Sequence, residues 1–152
     1  MNWSGDHSIR LSQACVAVFA LLLLGLDAAC PWLARFYVAQ VRGDPPGHAA
    51  ALMAAVYLGS ALGWVTLFRL WRLLGHLRRG RVFVEENVRD MRAVSWCCAG
   101  AAVLSAGTAL IYLSWVFGVV AVSAGFMALI VRIVKNVFQQ AIAMKSELDL
   151  TV

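Results

Sequence analysis

The sequence predicts an all-α integral membrane protein, a four-helix bundle with both termini in the cytoplasm. Of its 152 residues, 62% are hydrophobic and only 14% are charged, whereas soluble domains are about half apolar and a quarter charged. The apolar residues also form long blocks, because positions 45–68 and 93–131 contain no Asp, Glu, Lys or Arg. A soluble domain of this size could not enclose blocks of that length in one core.

The number of spans follows from the length of these blocks. A helix needs roughly 20 residues to cross a hydrocarbon layer of about 30 Å. The stretch 93–131 would be about 58 Å long as one helix, so we divide it into two spans joined by a tight turn within Ser114–Gly118. The predicted spans are 11–34, 49–71, 93–113 and 117–138, with a cytoplasmic connection 72–92 and a cytoplasmic tail 139–152, in a single membrane domain of residues 1–152.

Basic residues predict the orientation, because Lys and Arg collect on the cytoplasmic side of membrane proteins. With both termini inside, only Arg35 and Arg42 of the 13 basic residues lie outside. We therefore expect a multi-pass protein of the bacterial cytoplasmic (inner) membrane, N-in and C-in. Attraction to anionic lipid explains the net charge of +5, and direct binding to nucleic acid is not expected.

Small residues indicate how the helices pack, since lipid provides no hydrophobic drive between them. We expect such residues to let the helices of one compact bundle approach closely. Gly59 and Gly63 are four residues apart, and an alternative is that they form a homo-oligomer interface. The candidate packing positions are Gly59, Gly63, Gly100, Gly107, Ala121 and Gly125.

Asp27 is the only acidic residue within a predicted span. Such residues are costly and often mark ion or proton pathways. However, a transporter normally carries several polar groups near the bilayer midplane, and Asp27 is single and off-centre. We favour a structural role, in which its carboxylate reaches water or a Ser or Tyr hydroxyl on a neighbouring helix.

No catalytic, nucleotide-binding or metal-binding motif appears in the sequence. We therefore expect a non-enzymatic protein without a cofactor. Its four cysteines are expected to act as small hydrophobic residues. An alternative is a thiol sensor or soft-metal site that combines Cys15 with Cys97 or Cys98.

The two predicted cytoplasmic segments are patterned. The second helix should extend past the membrane and end at Gly80, and a new helix should begin near Val84 with Glu85 and Glu86 in its first turn. The fourth helix should continue through residues 135–145. The last residues alternate apolar and polar side chains, which is strand-like; this tail would add to a partner's sheet edge or fold back onto the bundle.

The segment Gly80-Arg-Val-Phe-Val-Glu-Glu-Asn87 and the ending Glu147-Leu-Asp-Leu-Thr-Val152 resemble the bacterial family known as domain of unknown function 2975, over nearly the whole chain. The family pattern has Ser or Thr where this chain has Val84, which cannot cap a helix with its side chain. The resemblance implies a structural clasp of the cytoplasmic helix ends or, alternatively, a direct partner site. The residues that match the pattern are Phe83, Glu86, Asn87, Asp149, Leu150 and Thr151.

The family resemblance implies no activity, but its members are often encoded beside a small helix-turn-helix DNA-binding regulator. Our first hypothesis is a membrane regulator whose cytoplasmic face binds such a soluble partner. The second is a small transporter or channel subunit, as a monomer or an oligomer, with Asp27 in its path. A third is an accessory subunit that stabilises a larger membrane complex.

Overall fold

The structure is a computed structural model that describes residues 3–42, 47–79 and 84–151. These residues form four helices, and no strand occurs among them, which confirms the predicted all-α class. All four helices are long and apolar enough to cross a membrane. The helices are α1 (Trp3–Arg42), α2 (His48–Arg78), α3 (Glu85–Tyr112) and α4 (Trp115–Leu150).

Helix α3 starts without a side-chain cap, as the valine at the capping position predicts. Val84 is extended, with φ −122° and ψ 139°, and its carbonyl oxygen accepts a 3.0 Å hydrogen bond from the backbone N–H of Asn87. Glu85 and Glu86 occupy the first turn, where negative charge interacts favourably with the helix dipole. The predicted stop at Gly80 lies outside the described residues, but α2 ends two residues earlier, at Arg78.

The turn between α3 and α4 is shorter than the predicted range and begins one residue earlier. Leu113 has φ 49°, in the left-handed region, which ends a right-handed helix. Ser114 is extended and α4 starts at the next residue. Gly118 is therefore not part of the turn, and its N–H donates to the Ser114 carbonyl oxygen at 3.4 Å.

Each helix packs against its neighbours in the sequence. In the described residues, no Cα atom of α1 lies within 8 Å of a Cα atom of α3 or α4. The same holds between α2 and α4. Helices α1 and α4 nevertheless contact each other through side chains. The rings of Tyr37 and Phe117 lie edge to face, with their centroids 6.5 Å apart. At this end of the bundle an apolar cluster is formed by Ala34, Val38, Leu52 and Tyr112.

Large apolar side chains cover the outside of the bundle. Leu110, Leu113 and Trp115 are 79%, 86% and 80% exposed. An exposed apolar surface of this extent would mark an interface or an aggregation site on a soluble protein, whereas hydrocarbon solvates it in a bilayer. The arrangement thus agrees with a multi-pass membrane protein.

Gly59 and Gly63 face two different helices of their own chain. A β-carbon built on Gly63 would lie 3.2 Å from a methyl group of Leu23 in α1, and one on Gly59 would lie 3.7 Å from a methyl group of Leu104 in α3. Both faces are thus in use within the monomer. The homo-oligomer interface through these glycines stays a prediction.

The other candidate packing positions differ among themselves. A β-carbon on Gly100 would lie 3.4 Å from an α2 side chain, and one on Gly125 would lie 3.9 Å from an α3 side chain. Ala121 is half-buried. Gly107, by contrast, would have no heavy atom of the described residues within 4 Å, so no helix contact requires a glycine there.

Helix α4 runs much farther than the predicted span and includes most of the predicted tail. Leu148 and Leu150 are helical, so the strand-like alternation does not produce a strand there. Extending an existing helix adds one hydrogen bond per residue, and a five-residue alternation is too short to oppose that. The hydroxyl of Thr151 donates to the Leu148 carbonyl oxygen at 2.9 Å and closes the last turn; Val152 lies outside the described residues.

Candidate functional site

Six polar side chains meet between the last turns of α2 and the first turns of α3. On α2 they are spaced by three and four residues, and on α3 they lie within five residues, so each set lies on one face of its helix. We call this group the α2–α3 polar cluster. It comprises Arg69, Arg72, His76, Glu86, Asn87 and Asp90.

Asp90 lies at the centre of the cluster, with its side chain 1% exposed. A terminal guanidinium nitrogen of Arg69 donates to Asp90 Oδ1 at 2.7 Å. Arg72 Nε is 3.3 Å from Oδ2, within ion-pair distance but without hydrogen-bond geometry. Both arginine side chains reach solvent, being 33% and 43% exposed, so a buried carboxylate is held from one side by two cations. Such a pairing compensates for much of the cost of burying the charge.

Asn87 is the most deeply buried member of the cluster, with no exposed surface. Its Oδ1 is 2.8 Å from His76 Nδ1. Because an amide oxygen only accepts, the ring nitrogen carries the hydrogen of this bond. On the far side of the ring, His76 Nε2 is 3.8 Å from a carboxylate oxygen of Glu86. The ring thus connects a buried amide with an exposed carboxylate.

The structure brings together only part of the predicted clasp. Glu86 and Asn87 lie in the α2–α3 polar cluster, whereas Phe83 lies outside the described residues. Asp149, Leu150 and Thr151 are exposed at the end of α4. Within the described ranges, the hydrogen bonds of Thr151 are local to that helix end, and none joins the end of α4 to the cluster.

Asp90, its partners Arg69 and Arg72, and His76 are the members of the cluster that sequence reasoning missed. A signal was present, because Asp90 follows Asn87 by three residues and therefore shares its helix face. Its arginine partners belong to another helix. The sequence does not state how two helices pair in register, so the spacing alone did not identify the contact.

A groove of about 540 Å³ lies beside the cluster, between the first turns of α3 and the second half of α4. We call it the end groove. Its walls carry both charges and apolar side chains, and they lie in the two segments that the sequence marks as the partner face. The lining includes Glu85, Val88, Arg89, Arg92, Ile142 and Ser146.

Asp27 forms a second polar group, between α1 and α2. Its Oδ2 accepts a 2.7 Å hydrogen bond from the Ser60 hydroxyl and a 3.1 Å bond from the Trp64 indole N–H. The Tyr57 hydroxyl donates to the Asp27 backbone oxygen at 3.3 Å. Asp27 Oδ1 is buried and finds no hydrogen-bond partner in the described part of the chain. The contacts are those expected for a structural role, which stays a prediction.

All four cysteines are free thiols. Cys30 is buried and Cys15 is exposed, while Cys97 and Cys98 are half-buried. Within residues 3–42, 47–79 and 84–151, no group of three or more His, Cys, Asp or Glu side chains is placed to hold a metal ion. The thiol-sensor hypothesis gains no support from this arrangement.

Comparison with known proteins connects these features to a family. No curated protein and no solved structure matches the chain. One family model, described as a protein of unknown function (DUF2975), matches residues 25–152. The match covers three complete helices, the C-terminal part of α1 from residue 25 onward and the whole α2–α3 polar cluster. The chain therefore belongs to the DUF2975 family.

Proposed function

We propose that the protein is a non-enzymatic regulator embedded in the bacterial inner membrane, with both termini in the cytoplasm. Its cytoplasmic face binds a soluble protein, such as a small helix-turn-helix transcription regulator. The observation that carries the proposal is the α2–α3 polar cluster, which lies at the basic end of the bundle and adjoins the end groove.

Paired polar groups of this kind fix a specific geometry. A buried ion pair contributes little net stability, because desolvating the charges costs about as much as their attraction returns. Asp90 and Asn87 are nevertheless almost fully buried. We infer that the α2–α3 polar cluster serves to set the angle and register at which α3 leaves α2.

The cluster also forms part of the support of the end groove. Asn87 and Asp90 hold the first turns of α3 against α2, and Val88 and Arg89, between them in sequence, line the groove. A change in the bundle that loosens the cluster would therefore displace one wall. This coupling is the means by which a signal in the membrane would change affinity for the partner.

The chemistry of the end groove suits a protein helix. Glu85 provides a negative charge and Arg89 a positive one, while Val88 and Ile142 provide apolar surface. An amphipathic helix offers charged and apolar side chains at the spacing that such a groove can accept. A soluble helical regulator meets that description.

The test is co-purification after light crosslinking in native membranes and extraction in mild detergent. We expect a soluble DNA-binding protein to travel with the chain. Arg89→Glu reverses a charge in the groove and should reduce recovery of that protein roughly tenfold, as for a charged residue at an interface. The matched control, Arg79→Glu, makes the same change at an exposed position that does not line the groove and should leave recovery unchanged.

Three results would count against the proposal. One is recovery of self-associated chains alone, which favours the transporter or channel hypothesis. Another is an equal loss in Arg89→Glu and Arg79→Glu, which would attribute the binding to general charge. The third is recovery of a membrane complex in place of a soluble protein, which favours the accessory-subunit hypothesis.

A further inference from the structure

A second groove, of about 460 Å³, runs along the side of the bundle between α3 and α4. We call it the lateral groove. Its basic end is lined by Arg92, Arg132 and Lys135, and its floor is formed by small residues that include Ala102 and Gly125. It shares Arg92 with the end groove but extends in the other direction, along the membrane-spanning part of the helices.

The three cations of the lateral groove have no ion-pair partner among the side chains that the structure describes. Arg92 and Arg132 are exposed and Lys135 is half-buried. In the described ranges, no acidic side chain lies within the 4.0 Å of an ion pair from any of them, and none lines the groove. The basic end of the groove is thus complementary to an anion.

The rest of the lateral groove is lined mainly by small and apolar side chains, and the two helices that form it are in contact there. The hydroxyl of Ser95 donates to the Ala128 carbonyl oxygen at 3.1 Å, across the helix pair. Trp96 and Val103 border the groove and are each 74% exposed. These side chains face outward from the bundle, where lipid surrounds the spans.

The length of the lateral groove matches one leaflet. The rise from Arg92 to Val103 is about 16 Å along a helix, which is about half of a hydrocarbon core of roughly 30 Å. With the basic end of the bundle at the membrane surface, the cations would lie at headgroup depth and the small apolar residues at acyl-chain depth. Trp96, one turn below Arg92, lies where amphipathic aromatic rings are enriched.

We propose that the lateral groove is a binding site for one anionic phospholipid. Arg92, Arg132 and Lys135 hold its phosphate, and one acyl chain lies along the floor near Ala102 and Gly125. Basic pockets between spanning helices are suited to anionic headgroups, and an arginine fork matches the geometry of a phosphate. This site does not depend on the soluble partner proposed above.

Native mass spectrometry of the delipidated full chain provides the test, with phosphatidylglycerol and phosphatidylcholine of identical acyl chains as probes. We expect one phosphatidylglycerol to bind in preference to phosphatidylcholine. Each cation near a membrane surface contributes about fivefold in affinity. The variant R92Q/R132Q/K135Q should therefore bind phosphatidylglycerol with an affinity lower by at least about tenfold. The matched control R10Q/R78Q/R79Q removes three exposed cations from the same end of the bundle and should keep the preference.

Two further variants test the lipid site by the same binding measurement. Should the triple variant fail to fold, the single change Arg132→Gln, at an exposed position, should still lower affinity severalfold. Ala99→Phe keeps every cation but fills the floor and should also weaken phosphatidylglycerol binding. Equal affinity for the two lipids, equal loss in the control, or full displacement of the lipid by inorganic phosphate would each overturn the proposal.

Discussion

Two aspartates contact α2, one near the middle of the helix and one towards its C-terminal end, and their surroundings differ. Asp90, on α3, is 1% exposed and faces two guanidinium groups. Asp27, on α1, receives hydrogen bonds from the neutral donors Ser60 and Trp64, and the ion pairs of the described residues do not include it. One site joins α2 to α3 by charge, and the other joins α1 to α2 by hydrogen bonds alone.

The difference indicates that the two helix contacts differ in how much stability the loss of one polar group removes. Hydrogen bonds between membrane helices contribute on average only about 0.6 kcal/mol each, so the α1–α2 contact depends mainly on packing. At the basic end, loss of the carboxylate would leave two arginines facing each other without an anion. We therefore expect the α2–α3 contact to be the more sensitive of the two to a single polar substitution.

The largest effect is expected for Asp90→Asn. This change keeps the shape of the side chain but removes the charge that Arg69 and Arg72 share. Breaking a buried ion pair costs about 3–5 kcal/mol, and because both arginines reach solvent we reduce this to about 2 kcal/mol. Unfolding by sodium dodecyl sulfate, followed by circular dichroism, measures the loss.

The control for this prediction is Asp149→Asn, which removes the same charge from an exposed position on α4. It should leave the free energy of unfolding unchanged. If Asp90→Asn is no less stable than this control, the ion pairs do not hold α2 to α3. The proposed difference between the two aspartate sites would then be wrong.

An intermediate effect is expected for Asn87→Ala. The residue has no exposed surface, and its loss leaves the His76 ring nitrogen without the 2.8 Å contact. A buried donor without a partner costs about 1–3 kcal/mol, and His76, at 20% exposed, recovers part of this from water. We expect a loss of about 1 kcal/mol in the same unfolding experiment.

Glu86→Ala is the matched change on the other side of the ring. Glu86 is 59% exposed and 3.8 Å from His76 Nε2, so its removal should cost less than the removal of Asn87. The reverse order would show that the exposed carboxylate, and not the buried amide, positions His76.

The sequence predicted the number and type of the helices because hydrocarbon imposes strong requirements. A span must be apolar over about 20 residues and must satisfy its own backbone hydrogen bonds. The uncharged blocks therefore indicated four helices directly. The exact turn was harder to predict, since Leu113 adopts the left-handed conformation that glycine favours and its side chain gives no signal of a turn.

The candidate site was only partly predictable. Glu86 and Asn87 were identified through the family pattern, but the importance of Asp90 depends on α2 approaching α3 so that Arg69 is opposite. Such a contact depends on the register of two helices, and residue spacing within one helix does not define it. The tail shows the opposite problem. The alternation near Leu148 suggested a strand, but these residues extend α4 as a helix.

The smallest effect on stability is expected for Asp27→Asn. The amide oxygen can accept the bonds from Ser60 and Trp64, so the free energy of unfolding should fall by less than about 1 kcal/mol. The matched change Asp90→Asn should cost more, and equal costs would remove the distinction between the charged and neutral sites.

The Asp27→Asn variant also separates two functions, since loss of an ion or proton flux in reconstituted vesicles would make Asp27 part of a pathway. The structural role would be supported if neither the unchanged chain nor the Asp27→Asn variant carries a flux and the variant recovers its partner as before. Asp27 would then be a hydrogen-bonded contact between α1 and α2.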